Sequence, residues 1–151
     1  MIEYSIVIPV YNSEKTIRVL CQQIAEIFKQ MNASFEIILV DDSSNDNSWN
    51  TILGLGKNYP NIKGLRMSNN FGQWMCTLAG ISKSRGSYIL TIDDDLEYDP
   101  SDIKTLIDVI QSKHYYIVFG MSPEKYKLQG KNVWLANFRN KILNTLWHKY
   151  V

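Results

Sequence analysis

The chain has 151 residues, of which 45% are hydrophobic and 21% charged, which is typical of one globular domain with a buried core and excludes a fibrous or disordered chain. Its two cysteines, Cys21 and Cys76, stand far apart, which argues against a disulfide framework or a cysteine zinc site and favours a reducing cytoplasm. A net charge of +1 gives no basis for a nucleic-acid partner.

Predicted strands and helices alternate along the chain. The predicted strands cover residues 5–10, 35–40, 62–67, 88–92 and 115–119. The predicted helices run from about Ser13, as N-cap, through Phe28, from Asp46 or Ser48 through Leu55, from the loop 68–73 to about Ser84, and from Ser101 to about Gln111. This alternation predicts an α/β fold, Rossmann-like, with a mostly parallel sheet and helices on both faces.

Three of the predicted strands end in polar or acidic loops, over residues 9–12, 41–44 and 93–97. In parallel α/β sheets, ligands bind beyond the carboxyl ends of the strands. We therefore expect these three loops to converge at one edge of the sheet and to carry the functional site.

The strand over residues 88–92 is apolar and β-branched, which predicts burial on both faces, and it runs directly into Asp93, Asp94 and Asp95. Three adjacent carboxylates at the end of a buried strand repel one another, and a divalent cation would offset their charge. Because side chains alternate along an extended backbone, Asp93 and Asp95 would share the ion while Asp94 points away. The alternative is that the acids only start a turn and cap the helix after Pro100.

Two other classes of protein fit less well. The chain has no phosphate-binding GxxxxGK[ST] loop. Asp41 and Asp42 are similar to the acidic pair of a phospho-receiver domain, but a receiver carries that pair on its first strand, and here the pair follows the second. A receiver would also leave the acidic run at residues 93–95 unexplained.

Four segments together resemble family 2 glycosyltransferases. They are residues 5–12 (SIVIPVYN), 40–44 (VDDSS), 70–73 (NFGQ) and 92–100 (IDDDLEYDP). The last two are most similar to the branch that transfers a sugar to polyprenyl phosphate, which includes dolichyl-phosphate mannose synthase and the undecaprenyl-phosphate glycosyltransferases. The resemblance covers residues 4 to about 110 and implies a GT-A-type nucleotide-sugar fold.

The resemblance implies that residues of the loops hold a UDP- or GDP-sugar. These residues are Pro9, Tyr11, Asn12, Asp41, Asp42 and Asp94. Asp41 would accept a hydrogen bond from an N–H of the base, since an ionised carboxylate only accepts, and Asp94 would lie near ribose or sugar hydroxyls. Asp42 and Ser44 fit equally well as caps of the next helix.

The chain departs from the family pattern at two places. Relatives commonly have Glu where this chain has Ser13, so that contact would be lost here or taken by Glu14. An Arg often follows the fifth strand in relatives, but residues 120–125 contain none. Lys125 or Lys127 would have to substitute, without the bidentate guanidinium fork.

The resemblance also implies a metal-dependent, inverting reaction. Asp93 and Asp95 would hold Mg²⁺ or Mn²⁺ against the diphosphate, and Glu97 would complete the coordination. The metal would neutralise charge on the departing nucleoside diphosphate. A phosphate monoester acceptor, with a second pKa of about 6, is already ionised at neutral pH and needs no general base, which favours polyprenyl phosphate as the acceptor.

Residues 121–151 carry a charge of +5, which leaves −4 for the rest of the chain. We expect residues 1–120 to form the nucleotide-sugar core and residues 121–151 a basic amphipathic helical extension, the start of a truncated acceptor side. Its apolar side comprises Trp134, Leu135, Phe138, Ile142, Leu143, Leu146, Trp147 and Tyr150. Arg139 falls within that side, where it either reaches a lipid phosphate at a membrane surface or stands at the rim of a helix packed on the sheet or on a partner chain. Arg139 is expected to be catalytic together with Asp93 and Asp95.

Together these features predict a glycosyltransferase that moves a sugar from a nucleoside diphosphate to polyprenyl phosphate in cell-envelope polysaccharide synthesis. Two alternatives stay open: transfer to a saccharide hydroxyl, and a nucleotide-sugar-binding module without turnover.

No apolar run is long enough to span a bilayer, and the first strand follows Met1 too closely for a signal peptide. We expect a cytoplasmic location, with attachment to the inner face of the membrane and homo-oligomers both left open.

Overall fold

Strands and helices alternate along the part of the chain that this computed structural model describes, residues 2–97, 99–113 and 115–120. The strands are β1 Tyr4–Val10, β2 Phe35–Asp41, β3 Ile62–Arg66 and β4 Tyr88–Thr91. The helices are α1 Ile17–Gln30, α2 Ser48–Asn58, α3 Gln73–Lys83 and α4 Asp102–Lys113. All strand pairs are parallel, and the order across the sheet is β3-β2-β1-β4. The predicted α/β fold with a parallel sheet is thus confirmed.

The side chains of β1 divide between two apolar clusters, one on each face of the sheet. Ile6 and Ile8 join buried residues of α1, α2 and α4 on one face. Val7 points to the other face, where it packs with Ile38 of β2 and Cys76 of α3. All seven residues of β1 are buried, because helices cover the strand from both sides, as a buried parallel sheet requires.

Pro9 ends the pairing between β1 and β4. The last register pair is Val7 with Thr91, and the N–H of Ile92 still donates to the Val7 carbonyl over 3.2 Å. The next rung of this ladder would need an N–H at position 9, which proline lacks. The chain therefore leaves the sheet here, and the acidic residues 93–95 follow in a loop and turn.

Helix α1 begins at Ile17, later than predicted. The Ser13 carbonyl accepts from the N–H groups of Thr16 and Ile17, which forms a turn ahead of the helix. The Ser13 hydroxyl donates its proton to Asp94, and the Tyr11 carbonyl lies 3.1 Å from the same hydroxyl oxygen. The prediction of Ser13 as N-cap is therefore wrong, because its side chain is hydrogen-bonded to Asp94 in the loop after β4 and not to the first turn of α1.

Strand β4 is shorter and more exposed than predicted. It ends at Thr91, and Ile89 is 44% exposed, because α3 packs mainly over β1 and β2 and leaves this edge of the face uncovered. The prediction of burial on both faces is therefore wrong.

Residues 115–119, predicted as a fifth strand, form no strand, since a short apolar run alone does not distinguish a strand from other structure.

The chain divides into one compact unit over Met1–Asp108 and a second unit that begins at Val109. The predicted boundary, between a core over 1–120 and an extension over 121–151, stays a prediction. Residues 121–151, and Arg139 with them, lie outside the described residues. Within the described ranges, none of the helices combines the length and hydrophobicity needed to cross a bilayer.

Candidate active site

A cavity of about 340 Å³ opens at the carboxyl ends of the strands. Its lining residues are Pro9, Val10, Tyr11, Asp42, Asn70, Gly72, Gln73, Asp93, Asp94 and Asp95. They come from the end of β1 and the segments that follow β1, β2, β3 and β4. The three loops predicted to converge do so, and the loop before α3 joins them.

Asp94 ties the loop after β1 to the acidic turn after β4. Its Oδ2 accepts from the N–H of Tyr11 over 3.0 Å and from the Ser13 hydroxyl. Hydrogen bonds to a carboxylate are roughly twice as strong as those between neutral groups. Asp94 therefore positions Tyr11, whose side chain stays half-exposed in the wall of the cavity.

Asn12 joins the loops after β1 and β2, and it is not among the residues that line the cavity. Its φ of 55° lies in the left-handed region, which Asn tolerates better than most residues. Its N–H donates to the Ser44 hydroxyl over 3.0 Å, and its Oδ1 accepts from the N–H of Asn45 over 2.9 Å. Asn12 and Ser44 thus hold the two loops together.

Asp46 and Glu14 accept hydrogen bonds from the backbone at the start of α2. Glu14 Oε2 accepts from the N–H of Asn47 over 3.0 Å, and the N–H of Glu14 donates to Asp46 Oδ2 over 3.1 Å. Asp46 Oδ1 accepts from the N–H of Ser48 over 2.9 Å. Burial alone would raise the pKa of Asp46, but the hydrogen bonds from Ser48 and from the Glu14 backbone outweigh it and lower the pKa. Glu14 is therefore engaged at the helix start, away from the cavity-lining set.

Asp42 holds the loop before α3 rather than capping α2. Its two carboxylate oxygens accept from the N–H groups of Phe71 and Gly72, each over 2.8 Å. Gly72 precedes α3 with a φ of +86°, a conformation that favours glycine. Burial, followed by a hydrogen bond to Asp42 and the charges of Asp42 and Asp41, raises the pKa of the Cys76 thiol to about 12. The Asp42 carboxylate is thus hydrogen-bonded to Phe71, Gly72 and Cys76, although Asp42 also lines the cavity.

Asp93 and Asp95 both line the cavity, but not through strand alternation, because β4 has ended before them. Asp93 Oδ1 accepts from Gln73 Nε2 over 2.5 Å, and Asp95 Oδ1 accepts from the N–H of Glu97 over 2.8 Å. Leu96, between Asp95 and Glu97, has a φ of 60°, which marks a tight turn. Glu97 is exposed and is not part of the cavity lining. Within the described residues, no three His, Cys, Asp or Glu side chains gather into a group that could hold a metal.

Asp41 lies beneath the edge of the sheet and does not line the cavity. It is 0% exposed, and its Oδ1 accepts from the N–H of Ser44 over 3.3 Å. Its Oδ2 lies 3.2 Å from Arg66 Nε, at ion-pair distance, but no donor in the described part of the chain is aligned with this oxygen well enough for a hydrogen bond. Asp41 is therefore a buried carboxylate whose second oxygen contacts Arg66 but has no aligned hydrogen-bond donor among the described residues.

Besides Val10 at the end of β1, three cavity-lining residues were not predicted as site residues. They are Asn70, Gly72 and Gln73, which belong to the loop after β3 and the first turn of α3. The signal was available, because the NFGQ segment already carried part of the family resemblance. Its role could not be assigned from sequence, since the contacts of this loop with Asp42 and Asp93 join residues 20 to 30 positions apart.

The chain is similar to two enzymes whose names include undecaprenyl phosphate and dodecaprenyl phosphate. It is 37% identical over 109 residues to the undecaprenyl-phosphate 4-deoxy-4-formamido-L-arabinose transferase of Yersinia enterocolitica, covering 71% of this chain and 33% of that protein. It is 29% identical over 154 residues to the dodecaprenyl-phosphate galacturonate synthase of Rhizobium johnstonii, covering 99% of this chain and 46% of that protein. The chain thus spans a third to about half of these relatives. The resemblance to this branch is confirmed.

Solved structures share the fold. Residues 1–349 of S. aureus TarS match with a TM-score of 0.61 and 26% identity, covering 75% of this chain and 33% of that one, and the same fragment has been solved with UDP and with UDP-GlcNAc. The mannosyltransferase PcManGT of Pyrobaculum calidifontis, solved with GDP-Man and Mn²⁺, matches with a TM-score of 0.61 and 15% identity, covering 72% of this chain and 32% of that one. At that identity the second likeness shows the fold alone.

The model of the family described as glycosyl transferase family 2 matches residues 5–150, almost the whole chain. That span contains all four motif segments on which the resemblance was based. The loops that carry three of them, after β1, after β3 and after β4, supply most of the cavity wall. The chain therefore belongs to glycosyl transferase family 2.

Proposed function

We propose that this chain carries the donor-binding part of an inverting glycosyltransferase that moves a sugar from a nucleoside diphosphate to polyprenyl phosphate. The observation that carries the proposal is the cavity with Asp93, Asp94 and Asp95 in its wall, at the carboxyl edge of a parallel sheet. Membership of glycosyl transferase family 2 supports the class of reaction. The functions of the relatives named above support a polyprenyl-phosphate acceptor.

The donor occupies the cavity with its base toward Asp41 and its diphosphate toward Asp93 and Asp95. The buried Asp41 Oδ2, which lacks an aligned hydrogen bond, supports the placement of the base. Pro9 and Tyr11 lie in the cavity wall between these two ends. The complex of the TarS fragment with UDP-GlcNAc supports a UDP-sugar as the donor, with a GDP-sugar as the alternative.

Asn12 and Asp42 act on the donor through the loops that they hold. Asn12 fixes the loop after β1 against the loop after β2, and Asp42 fixes the loop that presents Gln73. Asp94 does the same for Tyr11. The site is thereby preorganised before a ligand arrives, which lowers the entropy cost of binding.

Asp93 and Asp95 are suited to Mg²⁺ or Mn²⁺, because hard cations prefer oxygen ligands and both carboxylates line the cavity. Two carboxylates do not complete a coordination shell, so donor phosphate oxygens and water would supply further ligands, whereas Glu97 lies outside the cavity lining. When bound, the cation neutralises charge on the leaving nucleoside diphosphate. Gln73 donates to Asp93 Oδ1 and keeps that carboxylate oriented toward the cavity.

Transfer is a single displacement at the anomeric carbon of the sugar. An oxygen of the acceptor phosphate forms the new bond to that carbon as the bond to the diphosphate oxygen breaks, which inverts the configuration. The acceptor phosphate is already ionised near neutral pH and needs no general base. Arg139, beyond the described residues, is proposed to bind the acceptor phosphate. A lipid acceptor would bring the protein to a membrane surface, and the face we propose is the cytoplasmic one.

A thermal-shift panel tests donor binding. UDP, GDP, CDP and dTDP are each added to the chain with and without Mn²⁺. Ligands that bind the folded form raise Tm, and we expect one nucleotide to raise it by about 5 °C only with Mn²⁺. Asp95→Ala should abolish the effect of Mn²⁺, whereas Asp108→Ala, on the exposed side of α4, should leave it intact.

Two outcomes would count against the proposal. A wild-type chain that gains no stability from any nucleotide, with or without Mn²⁺, would contradict donor binding. A chain that binds the nucleotide sugar but transfers no sugar to polyprenyl phosphate would be a binding module only.

A further inference from the structure

The acidic turn after β4 places Asp93 and Asp95 in the cavity wall without a strand to align them. Strand β4 ends at Thr91, yet both carboxylates line the cavity, where their side chains are exposed. The residues that follow each of them, Asp94 and Leu96, are half-buried. These two side chains are therefore the ones that can hold the turn against the rest of the protein.

Leu96 is the apolar anchor of the turn. Its side chain packs against the buried cluster that joins β1 with α1, α2 and α4, whereas Asp94 accepts hydrogen bonds from the loop after β1. Burial of an apolar side chain is favourable in proportion to the area that it removes from water. The turn is thus held to the hydrophobic core by Leu96 and to the neighbouring loop by Asp94.

The backbone of Leu96 is left-handed, with a φ of 60°. This region is disfavoured for a bulky side chain and persists where the surrounding structure holds the residue in place. The N–H of Glu97 donates to Asp95 Oδ1 over 2.8 Å, so a hydrogen bond closes across Leu96. The conformation of Leu96 therefore determines where the Asp95 carboxylate lies.

We propose that Leu96 is a positioning residue for the cation of the donor site. Its side chain anchors the turn in the core, and its left-handed backbone aims Asp95 at the cavity beside Asp93. The inference rests on the proposed binding of Mg²⁺ or Mn²⁺ and names a residue that sets the affinity without touching the ion. It also gives a role to the leucine of the acidic segment, which does not line the cavity.

The experiment measures the Mn²⁺ concentration that gives half of the maximal rise in Tm, with the nucleotide identified by the thermal-shift panel held at saturation. The whole wild-type chain is compared with Leu96→Ala, which removes most of the anchor. Residues that orient a metal ligand from outside the coordination shell typically change metal affinity by about tenfold or more when they are substituted. We therefore expect Leu96→Ala to need about tenfold more Mn²⁺ than wild type.

Leu96→Ile and Leu96→Met separate the side chain from the backbone. Isoleucine has as many carbon atoms as leucine, but its branched Cβ disfavours a positive φ, so Leu96→Ile should also need more Mn²⁺ than wild type. Methionine is apolar, flexible and unbranched, so Leu96→Met should need the same Mn²⁺ concentration as wild type. A wild-type value for Leu96→Ile would overturn the role given to the left-handed backbone.

Met31→Ala is the matched control for lost packing. Met31 is also half-buried and packs against the same cluster, but it lies between α1 and the start of β2, at the amino edge of the sheet. Its substitution should lower the Tm of the free chain and leave the half-saturating Mn²⁺ concentration unchanged.

The remaining outcomes would overturn the inference. Equal half-saturating concentrations for wild type and Leu96→Ala would do so and leave the proposed function standing. An equal shift in Met31→Ala would do so too, because lost packing anywhere in the cluster would then suffice. A wild-type chain that shows no effect of Mn²⁺ would overturn both the inference and the proposed metal dependence. If Leu96→Ala does not fold, Leu96→Ile decides, because it keeps an apolar side chain in the cluster and changes the backbone preference.

Discussion

The Ser13 hydroxyl donates a hydrogen bond to Asp94 Oδ2 across 81 positions of sequence. The same oxygen accepts from the N–H of Tyr11 over 3.0 Å. These bonds fasten the loop after β1 to the acidic turn after β4, the two segments between which a donor diphosphate would lie. A glutamate at position 13, which the family resemblance led us to expect, could not donate to Asp94 in this way.

Ser13→Ala should therefore weaken both the fold and the site. A hydrogen bond to a charged group contributes about 1.5–3 kcal/mol when it is buried, and because Ser13 is half-buried we expect a loss of about 1–2 kcal/mol in the free energy of unfolding. Urea denaturation measures this loss, and calorimetry with nucleotide and Mn²⁺ measures the accompanying loss of affinity. Ser87→Ala, at an exposed position, is the control, and equal values for the two variants would contradict the role given to Ser13.

Asp42→Ala should lower the free energy of unfolding more than Ser13→Ala does. The substitution leaves the N–H groups of Phe71 and Gly72 without their acceptor. A hydrogen bond to a charged group contributes about 1.5–3 kcal/mol, and less here, because Phe71 is exposed and Gly72 only half-buried. We expect a loss of about 2–4 kcal/mol by urea denaturation, and a smaller loss for Asp42→Asn, which keeps one acceptor oxygen. Asp108→Ala, at an exposed site on α4, should change stability little. A small effect of Asp42→Ala would show that the loop before α3 is held by other contacts.

Much of the fold was predictable because it depends on local patterns. The buried strands β1 and β2 appear as continuous apolar runs, and the polar residues after them mark the carboxyl edge of the sheet. Convergence of the loops then follows from parallel pairing alone. The presence of Asp93, Asp94 and Asp95 in one cavity wall was predictable in this sense.

The individual roles of the acids were not predictable, because contacts between distant residues decide them. Asp42 could have capped α2, and only the position of the loop before α3 shows that it accepts from Phe71. The end of β4 depends on Pro9 in a different strand, whose missing N–H stops the ladder. The partner of Asp41, Arg66, became visible only through the register of β2 and β3.

Neither cysteine should react in the folded chain. Burial raises the pKa of the Cys21 thiol to about 12, and burial together with Asp42 does the same for Cys76. Because the thiolate is the reactive form, we expect no labelling by Ellman's reagent at about pH 8 in native buffer and reaction of both thiols in urea. Ser87→Cys, at an exposed position, should react at once and serves as the positive control. Rapid labelling of the wild-type chain without denaturant would contradict the burial of both residues.

Glu36 should make the fold sensitive to acid. It is buried at the amino end of β2, where it accepts from the Ser5 hydroxyl and the Arg85 N–H, each over 2.8 Å, and pairs with Lys63 over 2.9 Å. Burial alone would raise the pKa of Glu36, but the bonds from Lys63, Ser5 and Arg85 outweigh it and lower the pKa from 4.5 to about 2. Because the folded pKa is the lower one, this stabilisation is complete above the unfolded pKa and is lost as the pH falls through the folded pKa.

The expected size of this contribution is about 3 kcal/mol, from the difference between the two pKa values. Urea denaturation between neutral pH and about pH 2 should show the wild-type free energy of unfolding falling below about pH 4.5. Glu36→Gln should be less stable than wild type at neutral pH, because Lys63 and Arg85 lose their partner, and the two proteins should converge in acid. Glu26→Gln, on the exposed side of α1, should follow the wild-type curve. A constant difference between wild type and Glu36→Gln across this range would mean that the ionisation of Glu36 does not stabilise the fold.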